Sequence, residues 1–265
     1  MTTESLHQKI RQLQGPILIL GASGFVGANL FHLIHRVRKD LFGVSSHPSP
    51  WRLEPVPPEQ IIATDLLIPS SLDKLLDTVK PQTLFDCIAF GGYSFEVTQE
   101  RIYQTNFNLV VRLLDALKRR NIHRYIHAGS SSEYGAKSAG PSEETLCLPN
   151  SHYAVSKVAA ANAILHMGQH QGLPCANLRL YSIFGPYEDS SRLIPTLIAK
   201  GLQGELPPFV HPDISRDFVY VEDACEAFID AALNLTPEHY GHSFNIGSGR
   251  RVTIQEVADM ARKLF

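Results

Sequence analysis

The chain has 265 residues, of which 44% are hydrophobic and 19% charged, and a formal charge of −2. That is enough to bury a substantial core, as one large domain or as a domain carrying a small lobe. The balance excludes a nucleic-acid footprint: the basic runs Arg36-Val-Arg-Lys39 and Lys118-Arg-Arg120 fall near expected helix C-termini, where cations complement the helix dipole.

Cys87, Cys147, Cys175 and Cys225 have no C-x-x-C spacing and read as reduced, buried thiols rather than disulfides or zinc ligands. The N-terminus shows no charged-then-apolar leader, and no apolar stretch approaches membrane-spanning length, so the cytoplasm is the expected compartment.

After a polar lead-in, residues 16–20 form an apolar run that reads as a buried parallel strand. It leads into Gly21-Ala-Ser-Gly24-Phe-Val-Gly27, followed by helical spacing over 28–38. Strand, glycine turn and helix in this order suit a phosphate group at the helix N-terminus. Gly21 permits the tight turn, Gly24 lets backbone N–H groups approach a pyrophosphate, and Gly27 allows close helix–strand packing. Further strands are expected at 41–45, 61–65, 83–89, 124–128 and 175–181, separated by a proline-rich loop at 47–58 and helices at 71–79 and 97–120. This alternation predicts a parallel sheet covered on both faces, with ligands beyond the carboxyl ends of the strands. Gly21, Asp65, Gly91, Ser130 and Tyr181 fall there.

A helix from about residue 151 carries Tyr153 and Lys157, four apart and therefore on one face. An ammonium beside a phenol is expected to lower its pKa from about 10, giving an acid–base group for a sugar or alcohol hydroxyl. Beyond Tyr181 the rhythm changes. Helices are expected at 192–202, 222–233 and from 253, a loop at 204–214, and short strands at 217–221 and 243–247, reading as a smaller lobe over the sheet edge. His166 and His170 have metal-compatible i,i+4 spacing but no third ligand, so no metal site is expected.

Together with Gly129-Ser-Ser-Ser-Glu-Tyr-Gly135, Asn106, Leu178-Arg-Leu-Tyr-Ser-Ile-Phe-Gly-Pro186, Arg216-Asp-Phe-Val-Tyr-Val-Glu-Asp223 and Asn245-Ile-Gly-Ser-Gly249, these motifs resemble the extended short-chain dehydrogenase/reductases. More narrowly, they resemble the nucleotide-sugar epimerase/dehydratase branch. The resemblance implies an α/β, Rossmann-type doubly wound parallel sheet, with an NAD(P)-binding domain at 1–183 and a smaller C-terminal substrate-binding lobe at 184–265, parts of which return to the sheet. It implies Tyr153 as catalytic acid/base, Lys157 on the nicotinamide ribose, and Ser130 bonding the reacting hydroxyl. It assigns the cofactor to Gly21, Gly24, Phe25, Val26, Gly27, Ser45, Asp65 and Leu66, and the substrate to Ser131, Ser182, Arg192 and Arg216.

Several positions depart from the family pattern. No acid follows the second strand, where Ser45-Ser-His47 stands, so the cofactor is NAD or NADP, with Arg52 or Arg36 as candidates for a 2′-phosphate. Ser182 replaces a substrate-binding Asn, and the chain stops earlier than relatives with a complete substrate lobe, as a compact or a shortened member. The Asp-Glu pair of 4,6-dehydratases is Ser131-Ser132 here, which favours a 4-epimerase or 4-ketoreductase unless Glu133 substitutes. A non-catalytic NADP sensor is the alternative outside enzymology. The resemblance also implies a homodimer through the two long helices, and neither nucleic-acid nor membrane partners.

Overall fold

The computed structural model describes residues 3–48, 50–54, 56–93, 95–137, 140–205 and 211–265. The expected polar lead-in is in fact a helix, α1 (Thr3–Gln12). Leu6, Ile10 and Leu13 pack into the core, and Lys9 bridges Glu226 at 2.9 Å and Asp230 at 2.7 Å.

The alternating part follows as β1 (Ile17–Leu20), α2 (Phe25–His35), β2 (Leu41–Ser45), β3 (Ile61–Ala63), α3 (Pro69–Val79), β4 (Thr83–Asp86), α4 (Gln99–Tyr103), α5 (Leu109–Arg119), β5 (Arg124–Ser130), α6 (His152–Gln171) and β6 (Cys175–Leu180). After it come β7 (Ser182–Phe184), α7 (Leu193–Gly201), β8 (Ser215–Arg216), β9 (Phe218–Tyr220), α8 (Val221–Asn234), β10 (Ser243–Ile246), β11 (Val252–Thr253) and α9 (Ile254–Leu264). The expected loop at 204–214 includes residues 206–210, which lie outside the described residues.

Seven strands form one sheet in the order β3-β2-β1-β4-β5-β6-β10, every pairing parallel. A fully buried parallel sheet needs cover on both faces, and strand alternation supplies two apolar sides. Ile17 and Ile19 face a layer built with Phe31 of α2 and Phe228 of α8. Leu18 and Leu20 face the opposite layer, with Leu76 of α3, Leu113 of α5 and Ile164 of α6. The chain reverses direction across the sheet between β1 and β4, and a ligand crevice opens where such a reversal occurs.

Residues 184–265 divide between two places. α8 covers one face of the sheet and β10 extends its edge beside β6. The remainder pairs β7 with β9 and β8 with β11, while Leu197 of α7 meets Val257 and Ala261 of α9 in a small separate core.

The turn after β1 needs its glycines. Gly21 has φ +70, and any side chain there would press on the Cys87 carbonyl group. A Cβ on Gly27 would enter the Gly21 carbonyl, so α2 approaches the turn only because Gly27 has none.

Candidate active site

Ser151 starts α6: it is extended, and its hydroxyl accepts from the Ala154 N–H at 3.1 Å. That cap places Tyr153 in the first turn and Lys157 one turn later, pointing inward. Lys157 is only 1% exposed, and its Nζ donates to the Ala128 carbonyl on β5 at 2.8 Å. Ser130 ends the same strand. Its Oγ accepts from Ser132 N at 3.1 Å, and its own N–H donates to the Glu133 carboxylate at 2.9 Å.

The expected fall in the Tyr153 pKa is not found. Burial pushes the phenol up to about 12, and the neighbouring Ser130 side chain works against that rise. Lys157 gives no comparable help, because its Nζ goes to a strand carbonyl and lies 6.0 Å from the phenol ring centre. Spacing put both groups on one helix face; the strand decided where the ammonium points.

The segment after β4 is held against α6 by polar contacts that sequence reasoning missed. The long helix expected at 97–120 starts at Gln99 and contains a π-turn, Gln104–Asn108, between α4 and α5. Such widened turns break helical register and recur at functional sites. Here the turn carries buried Asn106, which accepts from Phe90 N at 2.9 Å and donates to Phe90 O at 2.7 Å and to Ser156 Oγ at 3.0 Å. Glu96 accepts from the N–H groups of Gly91 and Tyr93 at 2.8 and 3.2 Å.

Two clefts open at the carboxyl ends of the strands. One, of about 270 Å³, is lined by Gly21, Gly24, Ser45, Asp65 and Leu66, and by Arg101, whose guanidinium lies 4.8 Å over the Phe90 ring. Phe25 and Val26 form the first turn of α2, whose N-cap, Gly24, provides no side-chain hydrogen bond. The N–H groups there point at the turn without a protein partner on the cap, which suits an anion. Asp65 accepts from Leu67 N at 2.9 Å, and Ser45 Oγ accepts from His47 N at 3.0 Å, leaving its own proton to donate. Arg52 reaches the glycine turn, donating to Ser23 O at 3.3 Å and to Tyr187 O at 2.9 Å. Arg36 does not, since it caps the far end of α2. The glycine cradle, uncapped helix and polar rim fit a dinucleotide.

The second cleft, of about 260 Å³, gathers Ser131, Tyr181, Ser182, Ser215, Arg216 and Arg251. Arg192 does not line this cleft: its guanidinium sits 5.7 Å from the Tyr93 ring centre and 3.8 Å from Glu188, and its charge acts on Tyr153. Arg216 has no ion pair with neighbouring Asp217, whose carboxylate accepts instead from Ser248 and Gly249. His166 and His170 have ring centres 5.4 Å apart, and among the described residues no group of three His, Cys, Asp or Glu side chains forms a metal site.

Glu133 is wholly buried and turned away from this cleft. Arg179 Nε donates to its Oε2 at 2.7 Å, and Arg179 Nη1 donates to Tyr134 OH at 2.7 Å. Removing one partner of a buried pair strands the other charge, so Glu133→Gln or Arg179→Met is expected to cost about 3–5 kcal/mol. An apolar replacement of both should cost less than either single change. Urea unfolding of the three variants measures this, and a double variant as unstable as the summed singles would contradict it.

The chain matches known proteins along most of its length. The model of the NAD dependent epimerase/dehydratase family matches residues 17–247. A trifunctional UDP-glucose 4,6-dehydratase/3,5-epimerase/reductase of Arabidopsis thaliana is 32% identical over 211 residues, 77% of this chain and 30% of that one. The chain thus spans about a third of the length of the plant relatives it matches. A Bacillus subtilis protein described as an uncharacterized UDP-glucose epimerase is 29% identical over 92% of this chain and 80% of its own. The GDP-6-deoxy-D-mannose reductase of Pseudomonas aeruginosa is 29% identical over 92% and 78%. Among solved structures, MoeE5 in complex with UDP-glucose and NAD superposes with a TM-score of 0.79 at 27% identity, covering 94% of this chain and 82% of that one. Sequence match and fold agree from the glycine turn to the strand at the sheet edge, and the chain belongs to the NAD dependent epimerase/dehydratase family.

Proposed function

We propose that this chain is an NAD(P)-dependent nucleotide-sugar epimerase or 4-ketoreductase, working at the sugar C4 with Tyr153 as acid/base. The observation that carries the reading is the Ser130 side chain next to the buried Tyr153 phenol at the strand ends, flanked by a glycine-turn cleft and an arginine-bearing cleft.

Gly21, Gly24 and the first-turn N–H groups of Phe25, Val26 and Gly27 hold the pyrophosphate of the dinucleotide, with Asp65 and Leu66 beside the adenine and Ser45 at the ribose. The bound nicotinamide supplies the hydride acceptor and donor. Tyr153 takes the C4 hydroxyl proton when the sugar is oxidised and returns it when the ketone is reduced. Ser130 orients that oxygen. Lys157, one helical turn on, holds the nicotinamide ribose and adds positive charge behind the phenol, which starts from about 12 and must come down to work near neutrality. Residues 184–265 supply part of the substrate side, with Arg216 on the diphosphate, and Ser182 and Ser131, from before that segment, line the same cleft next to the sugar.

Glu133 favours the epimerase or reductase over the dehydratase. A dehydratase needs a carboxyl group free to move a proton at the ring, and Glu133 is enclosed and paired with Arg179. Tyr153→Phe is expected to lower turnover by about 100- to 10,000-fold while cofactor still binds; unchanged turnover removes Tyr153 from the mechanism. A panel of nucleotide sugars and their 4-keto forms separates the outcomes. Net change in nicotinamide absorbance marks a reductase, and sugar interconversion without it an epimerase.

Arg52 at the glycine turn and the acid-free end of β2 support NADP as well as NAD. Titration with each is expected to give NADP affinity at least equal to that for NAD, and a strong NAD preference would refute this reading of Arg52. We put a homodimer interface on α5 and α6, a reading supported by the exposed Val111, Val155 and Leu165. Light scattering should give twice the chain mass, and a monomeric mass would remove the interface.

A further inference from the structure

Three polar side chains lie inside the apolar layer beneath Lys157. Asp86, at the end of β4, is 2% exposed, His127 on β5 is 1% and Tyr125 is 0%. Asp86 and His127 are partners in the strand register. Alternation puts Asp86 on the same side as Leu84, and His127 on the same side as Tyr125, which is the side that α6 covers. One carboxylate gathers the contacts: Asp86 Oδ2 accepts from Tyr125 OH at 3.0 Å and from His127 Nδ1 at 2.9 Å, and Oδ1 accepts from Ile88 N at 3.1 Å. Among the described residues, His127 Nε2 has no partner.

Such a set of contacts holds Asp86 ionised. Burial alone would raise its carboxyl, but the hydrogen bond from His127 and the positive charge of Lys157 bring it below the usual carboxylate range. Burial and then the Lys157 charge push the His127 imidazole down, so it stays neutral and offers a proton from Nδ1. A neutral imidazole cannot balance a carboxylate. Lys157 has the opposite problem, an ammonium 1% exposed with a single carbonyl as hydrogen-bond partner. That carbonyl belongs to Ala128, the residue after His127, so the ammonium sits one residue along the neighbouring strand from the acid. The titratable groups facing Lys157 are Asp86, Glu133 and Cys87. Glu133 already has Arg179, and burial keeps the Cys87 thiol protonated. Those facing Tyr125 are Asp86, Cys87 and Cys175, the last a thiol that burial raises.

We propose that Asp86 is a positioning residue for Lys157: clamped by Tyr125, His127 and the Ile88 N–H, its carboxylate is the buried counter-charge that keeps the lysine cationic behind Tyr153. Two opposite charges share one layer of low dielectric, where each would be costly alone and the pair offsets that cost. Burial lowers the Lys157 ammonium, and Asp86 is the largest influence raising it back. For the reaction, the inference rests on the proposed pairing of Lys157 with Tyr153. The charge relation itself does not.

The test follows the Lys157 side chain by NMR in the full chain containing lysine labelled with carbon-13 at Cε, its signal assigned by loss in Lys157→Met. In Asp86→Asn the titration midpoint of Lys157 is expected to fall by at least one pH unit, a tenfold change in its ionisation constant, and Asp86→Glu is expected to restore most of it. Should Asp86→Asn not fold, His127→Leu, which removes the hydrogen bond holding the acid ionised, is read in the same way and should give a smaller fall. In the active enzyme, the acid limb of the kcat profile in the oxidative direction should move to higher pH with Asp86→Asn. Simple loss of a nearby negative charge would move it to lower pH. An unmoved Lys157 midpoint, or an acid limb displaced downward, overturns the inference. Full turnover in Tyr153→Phe would instead defeat the enzymatic reading and leave the NMR result standing.

Discussion

Lys157 Nζ donates to the Ala128 carbonyl across the contact between α6 and β5. A buried ammonium has few places to go, and this bond fixes both the rotation of the helix about its axis and its position along the strand. Tyr153 is then set one turn back, and Ser130 two residues further along the same strand. A serine at the cap starts the helix at the right residue, and the strand carbonyl stops it from turning. Neither contact alone would hold a phenol opposite a hydroxyl.

Around this bond the interior is more polar than an α/β layer needs to be. Asn106 ties the chain after β4 to α6, Glu96 closes the turn that follows, and the Asp86–His127–Tyr125 cluster lies beneath. Buried polar groups of this kind cost free energy unless satisfied, and satisfied networks rigidify a unique arrangement. The polarity is concentrated on the α6 face of the sheet. The opposite layer, between α2, α8 and the sheet, is dominated by Ile, Leu and Phe. Polar contacts and apolar packing are thus divided between the two faces.

Much of this was readable in the sequence. The buried strands announce themselves as apolar runs, so β2 was located to the residue, and the glycine turn and its helix appeared in the right order. The elements that escaped did so for physical reasons. α1 hides its apolar positions among charged ones, with Leu6 and Ile10 one turn apart, and was read as a polar lead-in. The π-turn leaves no mark on composition, and one extra residue merely shifts the register of the apolar positions that follow it. Long-range pairs are invisible to spacing altogether: Asp86 meets His127, and Glu133 meets Arg179, only because parallel strands bring them side by side. For the site, the residue types and their order were legible, and the sense of the Tyr153 pKa was not, since it depends on burial and on which acceptor the lysine finds.

The last strand of the central sheet comes from the far end of the chain. β10 lies beside β6, yet α7, α8 and the short strands separate the two in sequence. Contacts between distant segments are slow to form, because the intervening loop must be closed before pairing repays it. During synthesis the glycine turn, β1 through β6 and the α6 helix all leave the ribosome before β10 exists. The dinucleotide cleft can therefore take shape on a nascent chain, whereas Asn245 and Gly247, which line the second cleft, are absent until residues 243–247 have been made. Until then β6 is an open edge with its hydrogen-bonding groups exposed, a place for wrong pairing. Order of synthesis thus favours an order of assembly: the strands around the glycine turn are made first, and residues 243–246 close the sheet last.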